Sequence, residues 1–131
     1  MINIRDFKKE DLSHVNSQNI INNIQGPAIT VLYKEEILGI FGGFFIAPNV
    51  LQVWSLLSNS IYKYPLIFHK TCLKIINSYF SRLRLQRMQM SVMVGSTKGW
   101  RWAKALKFDC EGIMRGYGPA GHDCWLFGRI P

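Results

Sequence analysis

The residues best placed to do chemistry sit where an apolar run gives way to a basic one. Val50-Leu51-Gln52-Val53-Trp54-Ser55-Leu56-Leu57 reads as a strand and Ser58-Asn59-Ser60 as a polar turn. A helix is predicted to begin near Tyr64-Pro65, with Lys63 just ahead of it. At such a junction backbone N–H groups point outward, and together with the helix dipole and a lysine they can hold an anion. His122, Asp123 and Cys124 stand in a row, which raises a Cys–His nucleophile pair. Neighbours on a strand point to opposite faces, which argues against it. Trp100-Arg101-Trp102-Ala103-Lys104 has the alternation of aromatic and cation that stacks bases and meets phosphates. At helical spacing, though, one of its tryptophans is expected in the core. Cys72, Cys110 and Cys124 have no metal-ligand spacing and are expected as reduced thiols, with Cys72 packed on an apolar helix face.

Charge sharpens the interest in the second half of the chain. The net charge is +8, but residues 1–61 carry four basic and five acidic side chains, whereas residues 62–131 carry twelve and three. Between Tyr62 and Phe108 there are ten lysines or arginines and no acid. A strongly positive face is expected, suited to a polyanionic ligand, a nucleic acid or an acidic protein partner. With 131 residues and 48% apolar content, the chain is expected to fold as one globular domain, 1–131. No apolar run approaches the roughly 18–20 residues of a membrane-spanning helix, so no span is expected. Met1-Ile2-Asn3-Ile4-Arg5 lacks the basic-then-apolar layout of a signal peptide.

The elements that must position these residues follow from periodicity. Ile2 and Ile4 alternate with polar neighbours in a short first strand. Asp6 to Val15 is predicted to be helical, with Asp11 or Asp6 as its cap, and Asn16 to Gly26 is predicted as a second short helix. Ala28–Tyr33 and Ile37–Ile46 read as strands joined by a Lys34-Glu35-Glu36 turn, and Pro48-Asn49 leads into Val50–Leu57. Gly42 and Gly43 point to a bulge or a close backbone approach. A long helix to about Arg84 follows, broadly apolar through Leu66, Phe68, Cys72, Leu73, Ile75, Ile76, Tyr79, Phe80 and Leu83. Then come a strand over Met88–Val94, a helix from about Thr97 to Leu106 and a closing hairpin, Phe108–Tyr117 with Asp123–Ile130. In that last helix Trp100, Ala103, Leu106 and Trp102 are expected to face inward, and Lys98, Arg101, Lys104 and Lys107 outward. A strand, helix and strand of this length imply a right-handed crossover and a parallel pair.

This order resembles the layout of the GNAT (GCN5-related N-acetyltransferase) superfamily. Ile4-Arg5 followed by Asp11 resembles that family's first strand and helix start, and Val94 to Phe108 resembles its strand-five and helix-four block. A closer likeness is to the small GNAT-like proteins of T7-like phages, one of them a minor internal virion protein. It is carried by Ile4-Arg5, the strand around Gly39 to Gly43, Val53-Trp54 and Val94-Gly95-Ser96-Thr97. The resemblance implies an α/β (α+β) fold, a twisted mixed sheet of about seven strands flanked by about four helices. It implies acetyl-CoA as cofactor and transfer of an acyl group to an amine of a host or phage macromolecule, in the host cytoplasm or in the virion.

The resemblance also implies which residues would act. The backbone of Trp54, Ser55, Leu56 and Leu57 would hold the pantetheine arm, and Asn59, Ser60 and Lys63 would face the pyrophosphate. Ser96 stands where the family often has an asparagine, and would touch the cofactor or assist catalysis. Polarisation of the thioester falls to a backbone N–H of the Trp54–Leu57 strand. Tyr62, Glu36, Glu35 and His69 are the remaining proton-handling candidates. Two departures stand out. The pyrophosphate loop, Asn59-Ser60-Ile61-Tyr62-Lys63-Tyr64-Pro65, has no glycine for close backbone approach. Ala103 occupies the position of a tyrosine that protonates the departing thiolate. A GNAT-fold protein that binds a host or phage protein through its basic face without catalysis, or a relative that binds or modifies nucleic acid, is the alternative.

Overall fold

The computed structural model describes residues 2–15 and 28–131. Seven strands form one mixed sheet: β1 (Ile2–Asp6), β2 (Ala28–Tyr33), β3 (Glu36–Ala47), β4 (Val50–Leu57), β5 (Arg87–Met93), β6 (Asp109–Met114) and β7 (Cys124–Arg129). Their order is β1-β2-β3-β4-β5-β7-β6. Among the described residues there are two α-helices, α1 (Pro65–Arg82) and α2 (Thr97–Ala105), and two 3-10 turns, Lys9–His14 and Asn59–Tyr62. The predicted α/β architecture is therefore the observed one. β4 and β5, joined through α1, are parallel as the crossover requires. The helix expected over Asn16–Gly26 lies outside the described residues. No helix among the described residues is long and apolar enough to cross a membrane. Two compact units divide the chain, Met1–Phe44 with Val53–Ile75, and Phe45–Gln52 with Ile76–Pro131.

In the first unit, the β2–β3 hairpin closes on Lys34 (φ 50°) and Glu35 (φ 66°). Both are left-handed, as a two-residue turn matching the strand twist requires, here without glycine. Glu36 pairs with Tyr33 and so begins β3 instead of sitting in the turn. Gly42 marks a close approach: a Cβ there would overlap the Trp54 indole. The bulge of this hairpin lies instead at Leu38 of β3, the extra residue between Ile37, which pairs with Leu32, and Gly39, which pairs with Val31. Val31, Leu38 and Ile40 are fully buried, and the Phe68 ring of α1 lies 5.9 Å from that of Phe41. The buried stripe of α1 is Phe68, Thr71 and Cys72, narrower than its composition suggests. Leu66, expected to be buried, is 74% exposed, because it lies on the opposite side of the first turn from that stripe.

Where Asp6 to Val15 was expected to be an α-helix, Asp6 ends β1 and Lys9–His14 forms a 3-10 turn, and Asp11 explains why. Its carboxylate accepts from both Arg5 guanidinium NH groups at 2.8 and 2.9 Å, from Thr30 Oγ1 at 2.7 Å and from the Lys8 N–H at 2.9 Å. This buried acceptor closes the turn onto β1 and β2. The Arg5 hydrogen bonds hold its pKa well below the usual carboxylate range.

In the second unit, β5 pairs with β7 along its length, and β7 with β6. Met88, Phe108 and Phe127 fill the core, with the Trp100 ring edge-on to Trp125 and Phe127 at 5.1 Å each. On α2, Ala103 and Leu106 are buried, Trp100 and Trp102 are half-buried, and Lys98, Arg101, Lys104 and Lys107 are exposed, as the spacing predicts. Arg87 spans β7 to reach Glu111 on β6 at 2.6 Å. It passes over Gly128, where a Cβ would meet both side chains.

Candidate functional site

The expected anion-binding junction can be built residue by residue, because β4 from Val53, the turn and the start of α1 all belong to one unit. The β4–β5 register covers only Val50↔Arg87, Leu51↔Met88 and Gln52↔Gln89, so Val53–Leu57 lie outside it. Along this stretch the Trp54 indole covers Gly42, and Leu57 Cδ2 and the Leu56 backbone carbonyl lie close to Gly39. What this part of β4 has left for a ligand is the backbone that does not face β3.

The turn after β4 is organised by Ser58, which is buried. Its N–H donates to Leu38 O at 2.9 Å and its hydroxyl donates to Ile37 O at 2.6 Å, tying the strand end to β3. The same Oγ accepts the Ser60 N–H at 3.1 Å. The Ile61 N–H donates to Ser58 O (3.4 Å), the Lys63 N–H to Ser60 O (3.1 Å) and the Tyr64 N–H to Ile61 O (3.2 Å). The loop expected to cradle a pyrophosphate thus directs four of its backbone donors inward, into a 3-10 turn. Pro65, the first residue of α1, brings no N–H, and the Tyr64 carbonyl accepts from Phe68 N–H at 3.0 Å.

The side chains named from sequence fall into two groups. Lys63 and Glu36 are brought together: Lys63 Nζ lies 3.2 and 3.4 Å from the two Glu36 carboxylate oxygens, on the surface. The base candidate and the phosphate candidate therefore neutralise each other. Tyr62 is 62% exposed and Asn59 is exposed, beside Leu66 at the start of α1. Tyr64 packs its ring edge-on against Tyr33 at 4.6 Å. Glu35 is exposed in the hairpin turn and His69 is half-buried on α1. Ser96 belongs to the second unit, where its Oγ accepts the Gly99 N–H at 3.1 Å and caps α2. Ala103 is fully buried.

The other candidates resolve into structure. Burial pushes the Cys72 thiol up to about 12. Cys124 is buried on β7, and burial together with Asp123 raises its pKa. Asp123 accepts the Gly116 N–H at 2.8 Å, and the His122 ring lies against Gly118. The row His122-Asp123-Cys124 is a hairpin closure and not a nucleophile. Sequence reasoning missed Ser58. A serine directly after an apolar strand and two residues before another serine is the available signal for a side chain that closes its own turn.

No family model matches the chain, and no curated protein matches it. Solved structures do. A ribosomal-protein-S5-alanine acetyltransferase from Vibrio fischeri superposes with a TM-score of 0.75 over 98% of this chain and 92% of its own, at 16% identity. A GNAT-family acetyltransferase from Bacillus anthracis gives 0.67 over 79% and 65%, at 14% identity. The microcin C7 self-immunity acetyltransferase, in complex with acetyl-CoA and AMP, gives 0.70 at 16% identity, covering 79% of this chain and 60% of that one. The sheet order, the parallel β4–β5 crossover and these superpositions agree: this chain has the GNAT acetyltransferase fold.

Proposed function

We propose that this protein is an N-acyltransferase that takes its acyl group from a pantetheine thioester, with acetyl-CoA as the reference donor. The observation that carries this is the short β4–β5 register, which leaves the backbone of Val53–Leu57 outside the parallel ladder. An extended amide-bearing arm pairs with such a strand as an added strand would. The microcin enzyme, of the same fold, holds acetyl-CoA. Acetyl-CoA would bring a thioester carbonyl activated for attack by an amine. Val53–Leu57 would align the arm, and one of their N–H groups would polarise the carbonyl oxygen. Glu36 is engaged with Lys63 and Ala103 has no proton to give. The amine's proton is therefore passed to solvent, with Tyr62 at the exposed end of the turn as the nearby hydroxyl. The acceptor in this reading is an amine on a host or phage macromolecule, met in the host cytoplasm or the virion.

A second reading, a non-catalytic GNAT-fold protein that docks a partner through its basic residues, is favoured by the inward-turned loop donors and by Ala103. Calorimetry with acetyl-CoA, coupled to thiol release in the presence of peptide and polyamine amines, separates the two. One-to-one binding with amine-dependent thiol release supports the acyltransferase. No binding up to about 1 mM acetyl-CoA, a free energy weaker than about −4 kcal/mol, overturns it in favour of the docking protein.

A further inference from the structure

The junction after β4 treats the two halves of a coenzyme A thioester differently. The strand backbone suits the pantetheine arm, but little is left for the nucleotide. Ser60, Ile61, Lys63 and Tyr64 direct their N–H groups into the turn. Pro65 has none to offer, and the one lysine of the turn is paired with Glu36 at 3.2 Å. Coenzyme A carries a diphosphate and a further ribose phosphate, whereas a phosphopantetheine arm attached to a protein carries a single phosphodiester charge. With four loop donors turned inward, what remains at the start of α1 matches the single charge of the second.

The start of α1 supplies what a protein-borne arm would need beside it. Leu66, Lys70 and Lys74 follow at intervals of four and so share one helix face, and all three are exposed. Leu66 is 74% exposed, a large apolar side chain held in water at the mouth of the turn. Lys63 stands three residues before it. The first turn of α1 contains no acid, and Glu36 is the acid paired to this stripe. An exposed leucine with lysines one and two turns further along the same helix face complements an acidic surface with an apolar centre.

Resting on the acyltransferase reading above, we infer that the acyl donor is a thioester on the phosphopantetheine arm of an acidic carrier protein. The carrier docks on the Leu66–Lys70–Lys74 face of α1. In the transfer the acyl C–S bond breaks and the acyl C–N bond forms, and the proton lost by the amine balances the thiol left on the arm.

The test compares three donors by calorimetry on the full chain: acetyl-CoA, S-acetyl-4′-phosphopantetheine and an acidic carrier protein bearing an acetylated arm. The inference expects the two small donors to bind within about threefold of each other and the carrier about tenfold or more tighter. That gain falls with added salt and is lost in the double variant K70E/K74E, which still binds the small donors and so is still folded. Acetyl-CoA binding about tenfold tighter than S-acetylphosphopantetheine overturns the inference and leaves the acyltransferase reading standing. A carrier no tighter than the small donors, or a gain that survives in K70E/K74E, does the same. If none of the three binds, both readings fall.

Discussion

Among the described residues two strands lead into α-helices, each junction opened by a serine, and the two are built differently. After β5, Ser96 caps α2 directly: its Oγ takes the N–H of the residue three on, Gly99, and the helix starts at Thr97. After β4, Ser58 takes the N–H two residues on, Ser60, and a 3-10 turn intervenes before α1 starts at Pro65. The direct junction needs a glycine, because a Cβ at Gly99 would stand 2.7 Å from Val92 Cγ1 and 2.8 Å from Ser96 Oγ. The indirect junction carries Ile61 three residues after its serine and needs none. A turn without the glycine-rich loop is therefore not merely a weakened anion cradle. The turn that replaces it satisfies its own backbone and changes what the junction can hold.

Substitutions at the two junctions should separate them. Gly99→Val should be the most damaging, costing about 2–3 kcal/mol through overpacking in the first turn of α2, while Ile61→Val at the matching place should cost under about 1 kcal/mol. Chemical denaturation of both variants reads the difference. Ser58→Ala should cost about 2 kcal/mol, since it removes the donor to Ile37 O as well as the acceptor for Ser60. Ser96→Ala, which loses one capping bond, should cost about 1 kcal/mol; equal losses would erase the distinction drawn here.

The ion pairs of the two units should differ with pH. Asp11 has its pKa depressed by Arg5, Thr30 and Lys8, so its contribution is present above the unfolded carboxylate range, about pH 4, and is lost as pH falls below it. Glu111 is also depressed by Arg87, but it is exposed, and its pair is worth under about 1 kcal/mol. Unfolding followed from pH 7 down to 2 should therefore lose more stability in wild type than in Asp11→Asn, and Glu111→Gln should follow wild type closely. The smallest effect is a gain. Arg84 (φ 51°) and Lys107 (φ 68°) end the two helices in left-handed geometry, with Leu85 N–H on Phe80 O and Phe108 N–H on Ala103 O. Glycine at either position should stabilise by about 0.5–1 kcal/mol.

Much of the frame was legible because it rests on local patterns. β2 and β4 occupy the predicted Ala28–Tyr33 and Val50–Leu57, and the turns around β3 fall at Pro48-Asn49 and within the predicted Lys34-Glu35-Glu36, of which Glu36 belongs to β3. The helix phase of Trp100-Arg101-Trp102-Ala103 was readable from its spacing. What escaped depends on contacts distant in sequence. The pairing of Lys63 with Glu36 crosses 27 positions, and the burial of Asp11 needs Thr30 from the next strand. Gly42 could be read as a bulge or a close approach until Trp54 was placed against it. Leu66 looked like core because composition gives a helix its apolar content, whereas only the position of the sheet decides which face is covered.

In the proposed function, β4 downstream of Gln52 holds an arm by its backbone while the following turn is closed to ligands. Amide hydrogen exchange with and without S-acetyl-4′-phosphopantetheine tests it most directly. The account predicts new protection at amides within Val53–Leu57 and unchanged exchange at Ser60, Ile61, Lys63 and Tyr64. Protection appearing at the turn amides, with none along β4, would contradict it.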